Sequence, residues 1–192
     1  MSQNDLENFE EVSLPFEPQS VMVGSGRAAT ASSSFHKLFY VFGGTKGQIL
    51  LHEPDKKLFV DFSRDSQHNG PVTQVVQVHD FVVSVGEDCQ MLVWSLRDLM
   101  CISKLKCADK PSSMVLLNHD KYLLLCTSQG NVYRYILPEV EKACRRVKMN
   151  LKDPDIVVNQ HIFAAYSGGI ILIGYNEIFK MRPREDDLTE FD

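Results

Sequence analysis

No uninterrupted apolar run approaches the roughly 20 residues that a membrane-spanning helix needs; the longest candidate, 162–175, is broken by Ser167, Gly168 and Gly169. Glycine and proline are scarce, 11 and 8 residues in 192, which excludes collagen-like and low-complexity architectures. The opening MSQNDLENFEEV carries no base. A secretory leader is therefore not expected, and the cytosol or nucleus is the expected address rather than the secretory route. The five cysteines, Cys89, Cys101, Cys107, Cys126 and Cys144, are odd in number and contain no CxxC pair. That pattern fits free thiols better than a disulfide framework or a zinc site, and no metal or cofactor is expected.

With 44% hydrophobic and 23% charged residues the chain can bury one substantial core. Its net charge of −5 hides an asymmetry, because residues 1–17 hold five acids and no base and residues 185–192 hold five more. The body between carries all 20 bases against 15 acids. The acidic ends, taken as tails over 1–20 and 182–192, read as solvated segments that a basic partner could also recognise.

A repeat with a period near 40 organises the body. The segments at 34–53, 78–96, 118–136 and 160–175 each open near a histidine, run through four or five apolar residues, turn through small or polar residues, and resume as a second apolar run. His36, His79, His119 and His161 are 43, 40 and 42 residues apart. Each pair of runs reads as a β-hairpin. Outer strands are predicted at 57–62, 99–106 and 145–151, and inner strands at 71–78, 113–117 and 155–158. Four strands in about 40 residues is the pattern of a propeller blade, giving approximate blades at 21–62, 63–106, 107–151 and 152–181. The segment 138–152 also matches helical spacing through Val140, Cys144, Val147 and Leu151, but Val147, Met149 and Leu151 alternate with Arg146, Lys148 and Asn150 where the other repeats place an outer strand. A strand is predicted there.

The second repeat carries the family signal. His68-Asn69-Gly70-Pro71-Val72-Thr73, Val82-Val83-Ser84, Asp88 and Leu92-Val93-Trp94 resemble a WD-repeat unit. The resemblance implies an all-β, WD-repeat type β-propeller of about four four-stranded blades. It also implies a structural tetrad of His68, Ser84, Asp88 and Trp94, with carboxylate, imidazole, hydroxyl and indole joined in one relay. The other repeats are degenerate, with His52, Tyr135 and Gly174 or Tyr175 where the family prefers tryptophan, and Lys46 or Gln129 where it prefers aspartate. Propellers of this family usually have seven blades. Four leave three alternatives: a piece of a longer protein, an incomplete ring completed by a partner or a second copy through its open edges, or a compact four-bladed ring.

Chemistry is sparse in this pattern. His68, Ser84 and Asp88 are the residue types of a hydrolytic triad, yet no GxSxG elbow is present. The sharpest enzymatic alternative is a nucleotide-dependent enzyme using Gly24 and Gly26 in Val23-Gly24-Ser25-Gly26-Arg27-Ala28-Ala29, with Glu53 as a ribose ligand. It requires a helix after Gly26, where the sequence supplies poor helix formers, so 24–34 is predicted as a loop. Lys142, Arg145, Arg146, Lys148 and Lys152 form a basic patch able to take phosphate from nucleic acid or a phosphoinositide, although no aromatic residue interleaves it. Residues 82–97 resemble the motif by which some WD-repeat proteins dock on the adaptor of cullin ubiquitin ligases, with Arg97 in place, but Ser95 stands where an acid is expected. The expected function is a non-catalytic scaffold or adaptor that binds protein partners through loops near His36, His79, His119 and His161 and through Arg97. A substrate receptor of a cullin-type ligase is the alternative reading.

Overall fold

A computed structural model describes residues 18–26, 37–53, 58–62, 66–117, 121–137, 140, 144–149, 158–164, 169–174, 178–184 and 190–191. Among them there is no helix. The first sheet is a meander of β1 (Pro18–Gly26), β2 (Lys37–Gly44), β3 (Ile49–Glu53) and β4 (Leu58–Asp61), each antiparallel to the next. The second repeats that order with β5 (Val72–Val78), β6 (Phe81–Gly86), β7 (Gln90–Ser95) and β8 (Met100–Lys106). The third does so with β9 (Pro111–Leu117), β10 (Tyr122–Thr127), β11 (Val132–Ile136) and the short β12 (Arg145–Arg146). Beyond β13 (Lys148–Met149), the fourth sheet joins β14 (Val158–Ala164), β15 (Ile170–Gly174) and β16 (Ile178–Met181).

The sheets stack in chain order through their first strands, β1 on β5, β5 on β9 and β9 on β14. The alternation of side chains across a strand builds this stack. Val82, Leu92 and Trp94 point toward the first sheet and share a core with Phe39, Val41, Ile49 and Leu51. Their neighbours Val83, Val85, Met91 and Val93 point the other way and share a core with Met114, Leu123, Leu125 and Tyr135. The other phase of β10, Tyr122, Leu124 and Cys126, meets Ile170, Met181 and Phe191. A sheet covered on both faces needs apolar residues at nearly every position, which is why the middle strands of the second and third sheets show continuous burial where periodicity alone gives no face. The outer strand β8 alternates between exposed and half-buried instead. The Gln74 amide ties two blades, donating to the Met114 carbonyl at 3.1 Å and accepting from its N–H at 2.6 Å. The array is open: among the described residues no strand of the fourth sheet makes an extensive contact with the first sheet. The fold is thus an incomplete β-propeller.

Four expectations need correction. Gly24 and Gly26 lie within β1, paired with Phe39 and Lys37. They are strand residues and make no phosphate-cradling turn, and the predicted loop does not begin at 24. The first strand opens at Pro18, inside the span assigned to the N-terminal tail. In the fourth repeat His161 sits inside β14, beside the irregularity between Asn159 and Ile162, where a turn was expected; that strand stands directly against β9, and the sheet has three described strands. The acidic C-terminal segment is not wholly a solvated tail. β17 (Glu190–Phe191) pairs in parallel with β13, and Phe191 is fully buried. Within 138–152, Arg145–Arg146 and Lys148–Met149 are extended.

Candidate functional site

The second blade carries the one buried polar network that the sequence motif singles out. His68 sits in the loop before β5, Ser84 on β6, Asp88 in the turn after it and Trp94 on β7. The indole N–H of Trp94 donates to Ser84 Oγ at 2.8 Å. His68 Nε2 lies 2.8 Å from that same oxygen, and His68 Nδ1 lies 2.9 Å from Asp88 Oδ1. One proton assignment satisfies all three contacts: Trp94 donates to Ser84, Ser84 donates to Nε2, and Nδ1–H donates to the carboxylate. The imidazole is then neutral. Asp88 also accepts from the backbone N–H of Asn69 at 2.8 Å and of Gln90 at 3.2 Å, so the carboxylate closes both the His68 loop and its own turn.

Two glycines make room for this arrangement. A Cβ on Gly86 would stand 2.7 Å from His68 Nδ1 and 2.9 Å from Asp88 Oδ1, closer than packing allows. Gly47, at φ +90° in the turn of the first blade, presses against the His68 main chain and accepts its N–H at 3.3 Å. The relay is thereby braced by the preceding blade.

Electrostatics follow from burial. Desolvation pushes the His68 imidazole below its ordinary 6.5, against the upward pull of the Asp88 bond and charge. Burial alone would raise Asp88, yet the Asn69 N–H, His68 and the Gln90 N–H together hold it below 3.8. A folded-state imidazole that binds protons less readily than the unfolded one contributes stability that is complete above pH 6.5 and declines below it. Denaturant unfolding followed from pH 7.5 to pH 5 should show stability falling by up to about 1.4 kcal/mol per pH unit from this group. His68→Gln should flatten that slope; a parent and variant with identical pH profiles would refute the neutral relay.

The opposite end of the blade bears the exposed polar turns. His79, at φ 51°, and Asp80 join β5 to β6, and Arg97 and Asp98 lie between β7 and β8. The two turns are stitched together by the Leu96 N–H to the Asp80 carbonyl at 2.9 Å and by Arg97 Nη2 to Asp80 Oδ2 at 3.5 Å. Ser95 is buried and exchanges hydrogen bonds with Asp98, its hydroxyl donating at 2.7 Å and accepting the Asp98 N–H at 3.1 Å. Arg97 is 79% exposed. Of the phase-locked histidines, His79 is at this turn and His161 is within β14, while His36 and His119 lie outside the described residues.

Three residues of the basic patch are among the described ones. Arg145 and Arg146 are exposed on β12, whereas Lys148 Nζ reaches Glu190 Oε1 at 3.0 Å, which Arg184 also meets at 3.2 Å. Arg146 and Lys148 border a shallow cleft of about 370 Å³ with Gly130, Asn131 and Val147. Lys142 and Lys152 lie outside the described residues. All five thiols are free, and burial pushes Cys107 up to about 12, which leaves it un-ionised. Sequence reasoning missed Asn69, Gln90, Gly86 and Gly47 as supports of the relay. Three of them act through backbone groups or absent side-chain volume, which carry no chemical signature in a sequence, and Gln90 likewise through its N–H.

No protein-family model matches the chain, and no curated protein matches it in sequence. Among solved structures it is similar to the β-propeller domain of Cps50 (Swd1) from Myceliophteria thermophila, with a TM-score of 0.67 and 10% identity over 90% of this chain and 54% of that one. It is also similar to the computationally designed protein Ika4, with a TM-score of 0.57 and 12% identity over 88% of this chain and 93% of that one. At such identities the likeness concerns the fold alone. The chain is an open array of propeller blades spanning about half the length of the Swd1 propeller domain.

Proposed function

We propose that the chain is a non-catalytic protein-interaction module, in which stacked rigid blades present turns and strand edges to protein partners. The observation that carries this reading is the fate of the relay. Ser84 and His68 are both fully buried, and the Ser84 hydroxyl is committed between an indole and an imidazole. The residue types of a hydrolytic triad are used to hold a blade together, at a place a substrate carbonyl does not reach. The likeness to a propeller domain supports the same reading. Five free thiols suit a reducing compartment, the cytosol or the nucleus.

The turns at His79–Asp80 and Arg97–Asp98 form the contact surface in this proposal, because they are exposed, mutually braced and set at the end of a well-packed blade. A photo-crosslinking residue at His79 in the full chain should capture a discrete protein in cells. Arg97→Glu with Asp80→Arg should abolish that adduct while moving stability by no more than about 0.5 kcal/mol. Adducts that survive the double substitution would refute this surface. The ligase-adaptor reading draws on the exposure of Arg97 alone; it predicts that the purified adaptor binds the chain and loses binding with Arg97→Glu.

A further inference from the structure

An outer strand ends each blade, and three of these strands are short. β4 and β16 have four residues and β12 has two. Short edges are one way in which a protein keeps its open ladders from pairing with other chains. β8 departs from this pattern, with seven residues that pair with β7 alone among the described strands.

The side chains of β8 are as unusual as its length. Exposure alternates along the strand, and Met100, Ile102, Lys104 and Lys106 are its exposed members. Met100 is 50% and Ile102 48% exposed, and they are two of the three large hydrophobic side chains that stand in water among the described residues. Ile102 is the extra residue of a bulge opposite Val93 and Trp94, a device that re-aims a side chain. From Ser103 to Lys106 the ladder to β7 is regular, so Lys104 and Lys106 project from one face. Neither lysine has an ion pair among the described residues. The half-buried Cys101 and Leu105 pack inward, on the cores shared with the first and third blades, and hold the strand in place.

We propose that β8 is an edge to which an extended, acidic segment of a partner protein adds as a fifth strand. An edge ladder offers main-chain donors and acceptors, from which strand addition draws its affinity. The two lysines, alternating on one face, match carboxylates at the same spacing on the added strand and disfavour a basic one. Met100 and Ile102 gain from coverage by apolar side chains between those acids. The strand starts just after Arg97 and Asp98, so this surface continues from the turn already assigned to partner contact. The inference rests on the interaction-module reading and gives the module's partner a chemistry.

Fluorescence anisotropy on the full chain tests this, with a fluorescein-labelled peptide of about eight residues that alternates glutamate and valine. It should bind at least about tenfold more tightly than a lysine–valine peptide of the same length. It should also exceed, by at least about tenfold, its own counterpart N-methylated at every residue, which keeps the side chains but has no backbone donors. Lys104→Glu with Lys106→Glu, at exposed positions, should leave circular dichroism unchanged and reverse the preference between the two peptides. The methyl signals of Met100 and Ile102 should shift when the glutamate peptide is titrated in. No saturable binding of that peptide up to about 1 mM overturns the inference, as does equal binding of the N-methylated form or indifference to the double substitution. A parent mass of twice 21.8 kDa that falls to a single chain with Ile102→Asp would give β8 to a second copy and overturn it as well. A chain that fails with the peptide and still gives the His79 adduct would leave the interaction-module reading standing while this inference falls.

Discussion

Phe191→Ala is expected to cost about 3–5 kcal/mol of stability, the range for truncating a buried aromatic ring. The residue lies in the acid-rich stretch 185–192, which from sequence reads as a solvated segment. Its ring is fully buried among Val115, Leu117, Tyr122, Leu124, Ile170 and Met181, so it fills the core between the third and fourth blades. The backbone is brought there by parallel pairing of Lys148 with Glu190 and Met149 with Phe191, a bridge from Pro183, and the Arg184 N–H donating to the Glu190 carbonyl at 2.9 Å. The Glu190 carboxylate meets Lys148 and Arg184 on the surface, where such pairs contribute at most about 1 kcal/mol. The ring therefore carries most of the anchoring energy. At this chain length each kcal/mol moves the melting temperature by about 2–4 °C, so thermal unfolding should shift downward by on the order of 10 °C for Phe191→Ala and by only a few degrees for Glu190→Gln. A Phe191→Ala protein that melts with its parent would show that β17 adds nothing to the core.

This anchor was illegible in the sequence for a physical reason. A two-residue strand has no periodicity, it lies among acids, and its partner is 42 positions away. The middle strands, by contrast, were readable because burial on both faces imposes a continuous apolar run bounded by turns, and the period near 40 located the hairpins of the first three blades. Gly24-Ser25-Gly26 misled because small residues are poor strand formers, and pairing with β2 overrides that preference. The fourth blade was placed out of phase because the irregularity between Asn159 and Ile162 admits residues that the repeat count assigned to a turn. The degenerate blades have a common logic. Where Ser84 stands two positions beyond the Trp94 partner on β6, the first blade has Phe42 and the third has Leu125. Both members of the polar pair are replaced there, by His52 with Phe42 and by Tyr135 with Leu125, and Tyr135 and Leu125 pack in one apolar core. Exchanging both partners leaves little buried polarity unsatisfied, so the motif can be lost without the fold.

Losing only one partner is a different matter, and Asp88→Ala in the second blade measures it. The substitution removes the acceptor for His68 Nδ1–H and for the backbone N–H groups of Asn69 and Gln90. The imidazole is fully buried, so its N–H has no water to turn to, and the expected cost is about 1–3 kcal/mol. His68 would then favour the other tautomer, with Nε2–H aimed at Ser84 Oγ, an oxygen that already accepts from Trp94. That leaves the Ser84 hydroxyl proton without the imidazole as acceptor, so the effect of Asp88→Ala should spread along the relay. A double-mutant cycle with Ser84→Ala reads this spread: the two substitutions together should cost less than the sum of each alone, with a coupling of about 0.5–3 kcal/mol. Tryptophan fluorescence adds a local signal, since Trp94 is the sole indole in the chain and its N–H bond changes partner state. Additive costs and an unchanged emission spectrum would mean that the four side chains are neighbours without being a network. A coupled loss with a shifted spectrum would establish that one proton relay holds the His68 loop, the Asp88 turn and two strands of the blade as a single unit.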